Sequence, residues 1–200
     1  FVGRNHWGGT ASIVLLMFLY KLGDNMAVAL QTPFFIDLGY SLSTIGQVAK
    51  IAGTAGAIIG GLLGGVSMLK LGINRALWIF GVVQVVTILG FALLSEIGVD
   101  DRALAAVMFA EYVGVGLGTA ALVAFIARST AREFAATQLA LLTAISALPR
   151  TFASASSGVI IEAIGYTSFF YVCMALAVPG LLLLIKVAPW GQAVGSNGAA

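Results

Sequence analysis

Residues 76–95 read Ala76-Leu77-Trp78-Ile79-Phe80-Gly81-Val82-Val83-Gln84-Val85-Val86-Thr87-Ile88-Leu89-Gly90-Phe91-Ala92-Leu93-Leu94-Ser95, 20 positions without a charged side chain. At about 1.5 Å per residue, a helix of that length crosses the ~30 Å hydrocarbon core of a bilayer. The run is continuously apolar rather than alternating, so it does not read as a barrel strand. Working outward, runs of the same kind occupy 12–36, 43–69, 103–127, 134–161 and 168–187. Six spans predict an all-α membrane protein, a six-transmembrane-helix bundle. The composition agrees, with 60% of the 200 residues hydrophobic and only 9% charged. Mean hydropathy is +1.05. So few charges cannot cover a water-facing surface, which excludes a soluble enzyme and a disordered chain. A net charge of +2 is no basic patch, which excludes a nucleic-acid partner. One cysteine, Cys173, supplies neither a disulfide framework nor a thiolate metal site.

The connections are short and rich in turn residues: Asp37-Leu38-Gly39-Tyr40, Leu71-Gly72-Ile73-Asn74, Gly98-Val99-Asp100-Asp101 and Gly165-Tyr166. Consecutive spans are therefore antiparallel neighbours, with Ser41 or Ser43 starting the second. Arg4, Lys70, Arg75, Arg128, Arg132 and Lys186 fall at alternate ends and share one side. Asp37, Glu96, Asp100, Asp101 and Glu162 share the other, with Arg102 the one cation among them. The excess of cations marks the cytoplasmic side and puts both termini there. The expected organisation is a cytoplasmic lead-in at 1–11, the bundle at 12–187 and a flexible cytoplasmic tail at 188–200. Phe1-Val2-Gly3 carries no initiator Met, basic n-region or cleavage site. No signal peptide is expected there, and the chain reads as the C-terminal part of a longer protein.

Helices in lipid associate by close backbone approach at small residues. Ala52, Gly56, Gly60 and Gly64 recur four apart, with Ala57, Gly61 and Gly65 beside them, which predicts tight contact on two sides of the second span. Gly114, Gly116 and Gly118 either serve ordinary packing or allow a bend or ligand approach in the fourth. Kinks are expected at Pro149 and Pro179.

Five ionisable residues lie within the spans: Lys21, Asp24, Lys50, Glu111 and Arg150. Unpaired and facing lipid, they would cost on the order of 12–18 kcal/mol together. They are therefore expected to face the bundle interior or a watery passage between helices. Lys21 and Asp24 are three apart and share a helix face. They form either a self-neutralising pair or a titrating carboxylate beside a cation that competes with substrate or proton. Glu111 has no cation within a helical turn, which suits a switchable carboxyl. Lys50 lies about 10 Å from the outer end of its span and either snorkels or joins the site. Arg150 keeps its charge and needs an anionic partner from the protein or from a ligand. Gln31, Thr32 and Gln138 add polar lining, while Gln84 is isolated in the third span. Each amide fits an interhelical hydrogen bond as well as a ligand contact. With His6 the sole histidine and no Gly-x-Ser-x-Gly, His-Glu-x-x-His or phosphate loop, the chain is not expected to be an enzyme, nor to hold a metal or cofactor.

Six spans with a basic loop after the second resemble one half of a major facilitator superfamily transporter. Gly65-Val66-Ser67-Met68-Leu69-Lys70-Leu71-Gly72-Ile73-Asn74-Arg75 resembles that superfamily's signature loop, with Leu69 where the loop has an acidic residue. More specific are Leu19-Tyr20-Lys21-Leu22-Gly23-Asp24, then Thr32-Pro33-Phe34-Phe35-Ile36-Asp37-Leu38-Gly39-Tyr40. Glu111-Tyr112 leading to Gly116-Leu117-Gly118-Thr119-Ala120-Ala121 belongs with them, as does Ala136-Thr137-Gln138-Leu139-Ala140-Leu141-Leu142 through Leu148-Pro149-Arg150. Together, over most of 12–187, they resemble the C-terminal half of AmpG-type muropeptide permeases. The resemblance implies proton-coupled import of anhydro-muropeptides across the bacterial inner membrane, from periplasm to cytoplasm, in peptidoglycan recycling. It implies as partners a sugar-peptide substrate, protons, the lipid bilayer and the N-terminal half of the same transporter. Lys21, Lys50 and Arg150 would then attract substrate carboxylates, and Gln31 and Gln138 would bond sugar or peptide amides. Asp24 and Glu111 would carry protons. The alternatives are another anionic substrate on the same fold, such as acetyl-CoA or a peptide, and a non-transporting membrane scaffold.

Overall fold

A computed structural model describes residues 7–129 and 135–190, with side chains described at 12–129, at 140, 144, 148 and 151, and at 159–190. Every regular element among them is helical: α1 (Trp7–Tyr20), α2 (Leu22–Leu38), α3 (Leu42–Val48), α4 (Thr54–Leu71), α5 (Ile73–Ile97), α6 (Asp101–Ser129) and α7 (Ala135–Val187). A π-helical segment, Ala49–Gly53, joins α3 to α4 without a turn. Five stretches are long and apolar enough to cross a membrane: Ser12–Leu38, Leu42–Leu71, Ile73–Ile97, Asp101–Ser129 and Val159–Val187. The chain is an all-α, multi-pass membrane protein. The run expected at 134–161 falls largely on side chains outside the described ones.

The helix ends follow local chemistry. Gly39, at φ 105°, closes α2 by donating its N–H to the Ile36 carbonyl, while Tyr40 donates to that of Phe35. Ser41, not Ser43, caps α3, its hydroxyl accepting from the Thr44 N–H at 3.1 Å. The Asp100 carboxylate accepts from the N–H groups of Arg102 and Ala103 at 2.8 and 3.2 Å and starts α6. Gly165, at φ 72° and ψ 166°, divides α7 in two. That is where the turn at Gly165-Tyr166 was expected, and the backbone keeps helical dihedrals through Pro149 and Pro179.

The first span is not one helix. It breaks at Lys21, at φ −101° and ψ 0°, between α1 and α2. On either side of the break the backbone touches α7. A Cβ at Gly180 would lie 2.7 Å from the Leu19 carbonyl oxygen, and one at Gly23 would collide with the carbonyl of Cys173. Tyr20 donates its hydroxyl to the Leu77 carbonyl at 3.0 Å, tying the same point to α5.

Of the two small-residue rows on α4, only the first is used as expected. A Cβ at Gly56 would meet the Phe109 carbonyl at 2.7 Å, and one at Gly60 would run into the Val113 backbone. Cβ positions at Gly61 and Gly65 are open. Gly116 of α6 enters the same seam, its Cβ position 2.7 Å from the Ala57 carbonyl and the Gly61 nitrogen. The α6 glycines thus serve close packing, and α6 runs unbroken.

The interior is layered. One apolar cluster includes Phe34, Phe35, Phe91, Met108, Phe169 and Phe170, near the end that carries Asp37 and Asp100. A second includes Leu16, Met17, Leu77, Phe80, Phe125 and Leu184, near the end that carries Arg75 and Lys186. At the second end, Asn74 accepts from Arg128 at 2.6 Å and donates to the Pro189 carbonyl at 3.2 Å, which joins α5, α6 and the end of α7. Between the two clusters lie the buried charges Lys21, Asp24 and Glu111 and the amide of Gln84.

Candidate functional site

Lys21, Asp24 and Glu111 are the buried charge-bearing side chains among the described residues, with Glu111 fully enclosed at 0% exposure. Among the described residues, the charges at the helix ends, including Asp37, Lys70, Arg75, Glu96, Asp101 and Lys186, are exposed. Of the five mid-span charges, Lys21, Asp24 and Glu111 are buried, Lys50 is exposed and Arg150 lies outside the described side chains. Charges at span ends reach the water layer, and the mid-span charges on α1–α2 and α6 turn inward.

Lys21 Nζ donates to Asp24 Oδ2 at 3.0 Å. The break at Lys21 sets this up, because it places the residue at the head of α2, one turn from Asp24. The pair is not self-sufficient, since Asp24 Oδ1 is buried with no hydrogen-bond partner. Glu111 of α6 sits beside Asp24, Lys21 and Thr87. None of them meets its oxygens in hydrogen-bond geometry, and both carboxyl oxygens are unpartnered. Thr87 donates instead to the carbonyl of Gln84, at 3.0 Å. Two formal negative charges and one positive charge thus share a buried layer.

The glycines of α6 make room for this cluster. Gly114 and Gly118 lie on the Glu111 face, three and seven residues on. A Cβ at Gly114 would lie 2.9 Å from the Thr87 hydroxyl, and one at Gly118 would collide with the Gln84 amide. Only a residue without a side chain lets α5 bring two polar groups against α6 at this depth. Gln84, isolated in the sequence, is 3% exposed and lies in the layer with Asp24 and Glu111. Its two amide atoms have no partner. Some 60 residues separate Gln84 from Asp24, so no local spacing could have joined them.

The other expected residues lie elsewhere. Gln31 is buried one level toward the aromatic cluster and donates to the Tyr112 hydroxyl at 3.1 Å. The Tyr112 ring in turn lies 3.5 Å from where a Cβ of Gly53 would be. Lys50 is exposed on the π-helical segment that ends at Gly53, apart from the buried trio. Thr32 is exposed. The side chains of Gln138 and Arg150 lie outside the described residues. The watery passage expected around the charges is not seen among the described residues, because the two apolar clusters close the layer above and below. A cavity of about 10 Å³ between Tyr20, Asp24 and Gln84 is the space within it. A larger groove, about 670 Å³, lies at the basic end, lined by Met68, Lys70, Arg75 and Trp190 among others.

No family model matches the chain. Among curated proteins, an uncharacterized protein of Haemophilus influenzae is 50% identical over 186 residues, 90% of this chain and 44% of that protein. The anhydromuropeptide permease of Escherichia coli is 40% identical over 187 residues, covering 92% of this chain and 37% of the permease. Over nearly its whole length, this chain is a homologue of AmpG-type transporters. A Rickettsia felis protein named as transporter AmpG 4 is 33% identical over 174 residues, 87% of this chain and 42% of that protein. The chain spans about two fifths of the length of the curated relatives it matches.

Proposed function

We propose that the chain forms the C-terminal, six-span half of a major facilitator transporter that imports anhydro-muropeptides across the bacterial inner membrane with protons. One observation carries the reading: a fully buried, unpartnered carboxyl, Glu111, beside the Lys21–Asp24 ion pair, at mid-depth in a homologue of a muropeptide permease. In this reading Glu111 and Asp24 share a proton while the layer is closed, which leaves one negative charge against the one positive charge of Lys21. When the transporter halves rock apart, a substrate carboxylate competes for Lys21 and the proton passes on. Each proton carried inward gains about 2.3 kcal/mol per 100 mV. Exposed Lys50, with Gln31, Gln138 and Arg150, supplies the substrate contacts. Both ends of the chain lie in the cytoplasm, consistent with the cations gathered at that side, and the N-terminal half completes the substrate cavity.

The test is uptake of labelled anhydro-muropeptide by vesicles holding the whole transporter. Uptake is expected to depend on external pH and to collapse with a protonophore. Glu111→Gln should reach normal protein levels yet lose the pH dependence. Wild-type pH dependence in that variant would falsify the proton role. Uptake of a coenzyme A ester or a free peptide in place of the muropeptide would reassign the substrate.

A further inference from the structure

Gln84 is a buried amide whose Oε1 and Nε2 both lack a protein partner. It is held in place by contact rather than by bonding, its amide pressed against Gly118 of α6. Beside it is the small cavity, about 10 Å³, lined by Tyr20, Asp24 and Gln84 and by the apolar side chains of Val85, Ile88 and Leu181. That volume suits one water molecule, provided two to four polar partners surround it. Three are at hand: the unpartnered Asp24 Oδ1, the Gln84 amide and the Tyr20 hydroxyl oxygen, whose hydrogen points to Leu77.

The chemistry of the neighbours narrows what Gln84 does. Among the described residues, titratable groups face this layer from α1–α2 (Tyr20, Lys21, Asp24), from α6 (Glu111) and from α7 (Cys173), and none from α5. The Lys21 ammonium donates to Asp24, and the hydroxyls of Tyr20 and Thr87 donate to backbone carbonyls. An amide both donates and accepts without changing charge. It therefore serves a carboxylate through its N–H and a carboxylic acid through its oxygen, with no rearrangement of the packed helices.

We propose that Gln84 is a positioning residue for the Asp24–Glu111 pair, and that the cavity beside it holds a single water linking Gln84 to Asp24. This inference rests on the proton reading above. Through that water Gln84 keeps Asp24 hydrogen-bonded in either protonation state, so a proton moves between Asp24 and Glu111 while the layer stays closed.

Infrared titration of the purified full-length transporter in lipid tests it. Wild type is expected to show a protonated-carboxyl band that titrates with pH, and Glu111→Gln or Asp24→Asn to remove it. Gln84→Leu should keep the band but displace its midpoint by about one pH unit or more, the effect of losing a hydrogen bond to a charged group. Gln84→Met, which retains side-chain length without the amide, should do the same and carries the test if the leucine variant fails to fold. An internal-water O–H band, shifted by water labelled with heavy oxygen and missing in both Gln84 variants, is the second expected result. Wild-type midpoints in folded Gln84 variants would overturn the positioning role, and a wild type without that water band would overturn the water. A wild type with no titrating carboxyl band would instead sink the proton reading itself.

Discussion

Helix α6 shows two neighbouring surfaces built from the same residue type for opposite ends. Toward α4 it offers Gly116, and receives Gly56, Gly60 and Gly64, in a seam of backbone against backbone with no charge to neutralise. Toward α5 it offers Gly114 and Gly118, and the space they free is filled by Thr87 and Gln84, beside the buried carboxyl of Glu111. In the seam a missing side chain gains dispersion contact, which is what holds helices together in lipid. In the polar layer it admits groups that are costly to bury. Orphaned buried groups persist in proteins chiefly where function requires them.

The largest expected effect falls in the polar layer. Lys21→Met leaves Asp24 buried without its cation and should cost about 3–5 kcal/mol in reversible unfolding from mixed micelles. The loss should shrink as pH falls, because a protonated Asp24 needs no cation, and the double variant Lys21→Met/Asp24→Leu should recover most of it. A pH-independent loss, or no recovery in the double variant, would mean that packing rather than charge balance is at stake. The seam responds to bulk instead. Gly60→Val drives carbons into the Val113 backbone and should cost about 1–3 kcal/mol at any pH. Smallest is the change on the open row of α4. Gly61→Ala meets nothing within 4 Å and improves helix propensity, so it should be neutral or stabilising by up to about 1 kcal/mol. A marked loss there, in the isolated chain, would mean that the open row is packed after all.

How far these regions could be read from sequence differs for a physical reason. The seam was legible, because an i, i+4 row of glycines is a local pattern and lipid leaves small residues few other uses. Its partner was not, and the second row looks the same on paper, yet the Cβ positions of Gly61 and Gly65 face open space. The charges Lys21, Asp24 and Glu111 were legible as inward-facing, since the cost of exposing them to hydrocarbon decides the matter. Their pairing was legible only for Lys21 and Asp24, which are three residues apart. The break at Lys21 carries no proline, and the contacts that bracket it come from Gly180 and Cys173 on α7. The π-helical turn at Lys50 was equally silent.

Hydropathy, the placing of Lys and Arg at alternate span ends and the mid-span charges were enough to establish a helical membrane bundle and to mark which residues need an interior. These are transfer free energies, properties of each residue against its solvent, and they need no knowledge of neighbours. Only the tertiary structure brought Gln84 to Asp24, turned Gly118 against that amide and closed two apolar clusters over the charges. Those are pairwise contacts between segments tens of residues apart, decided by how whole helices pack, and no single stretch of chain encodes them.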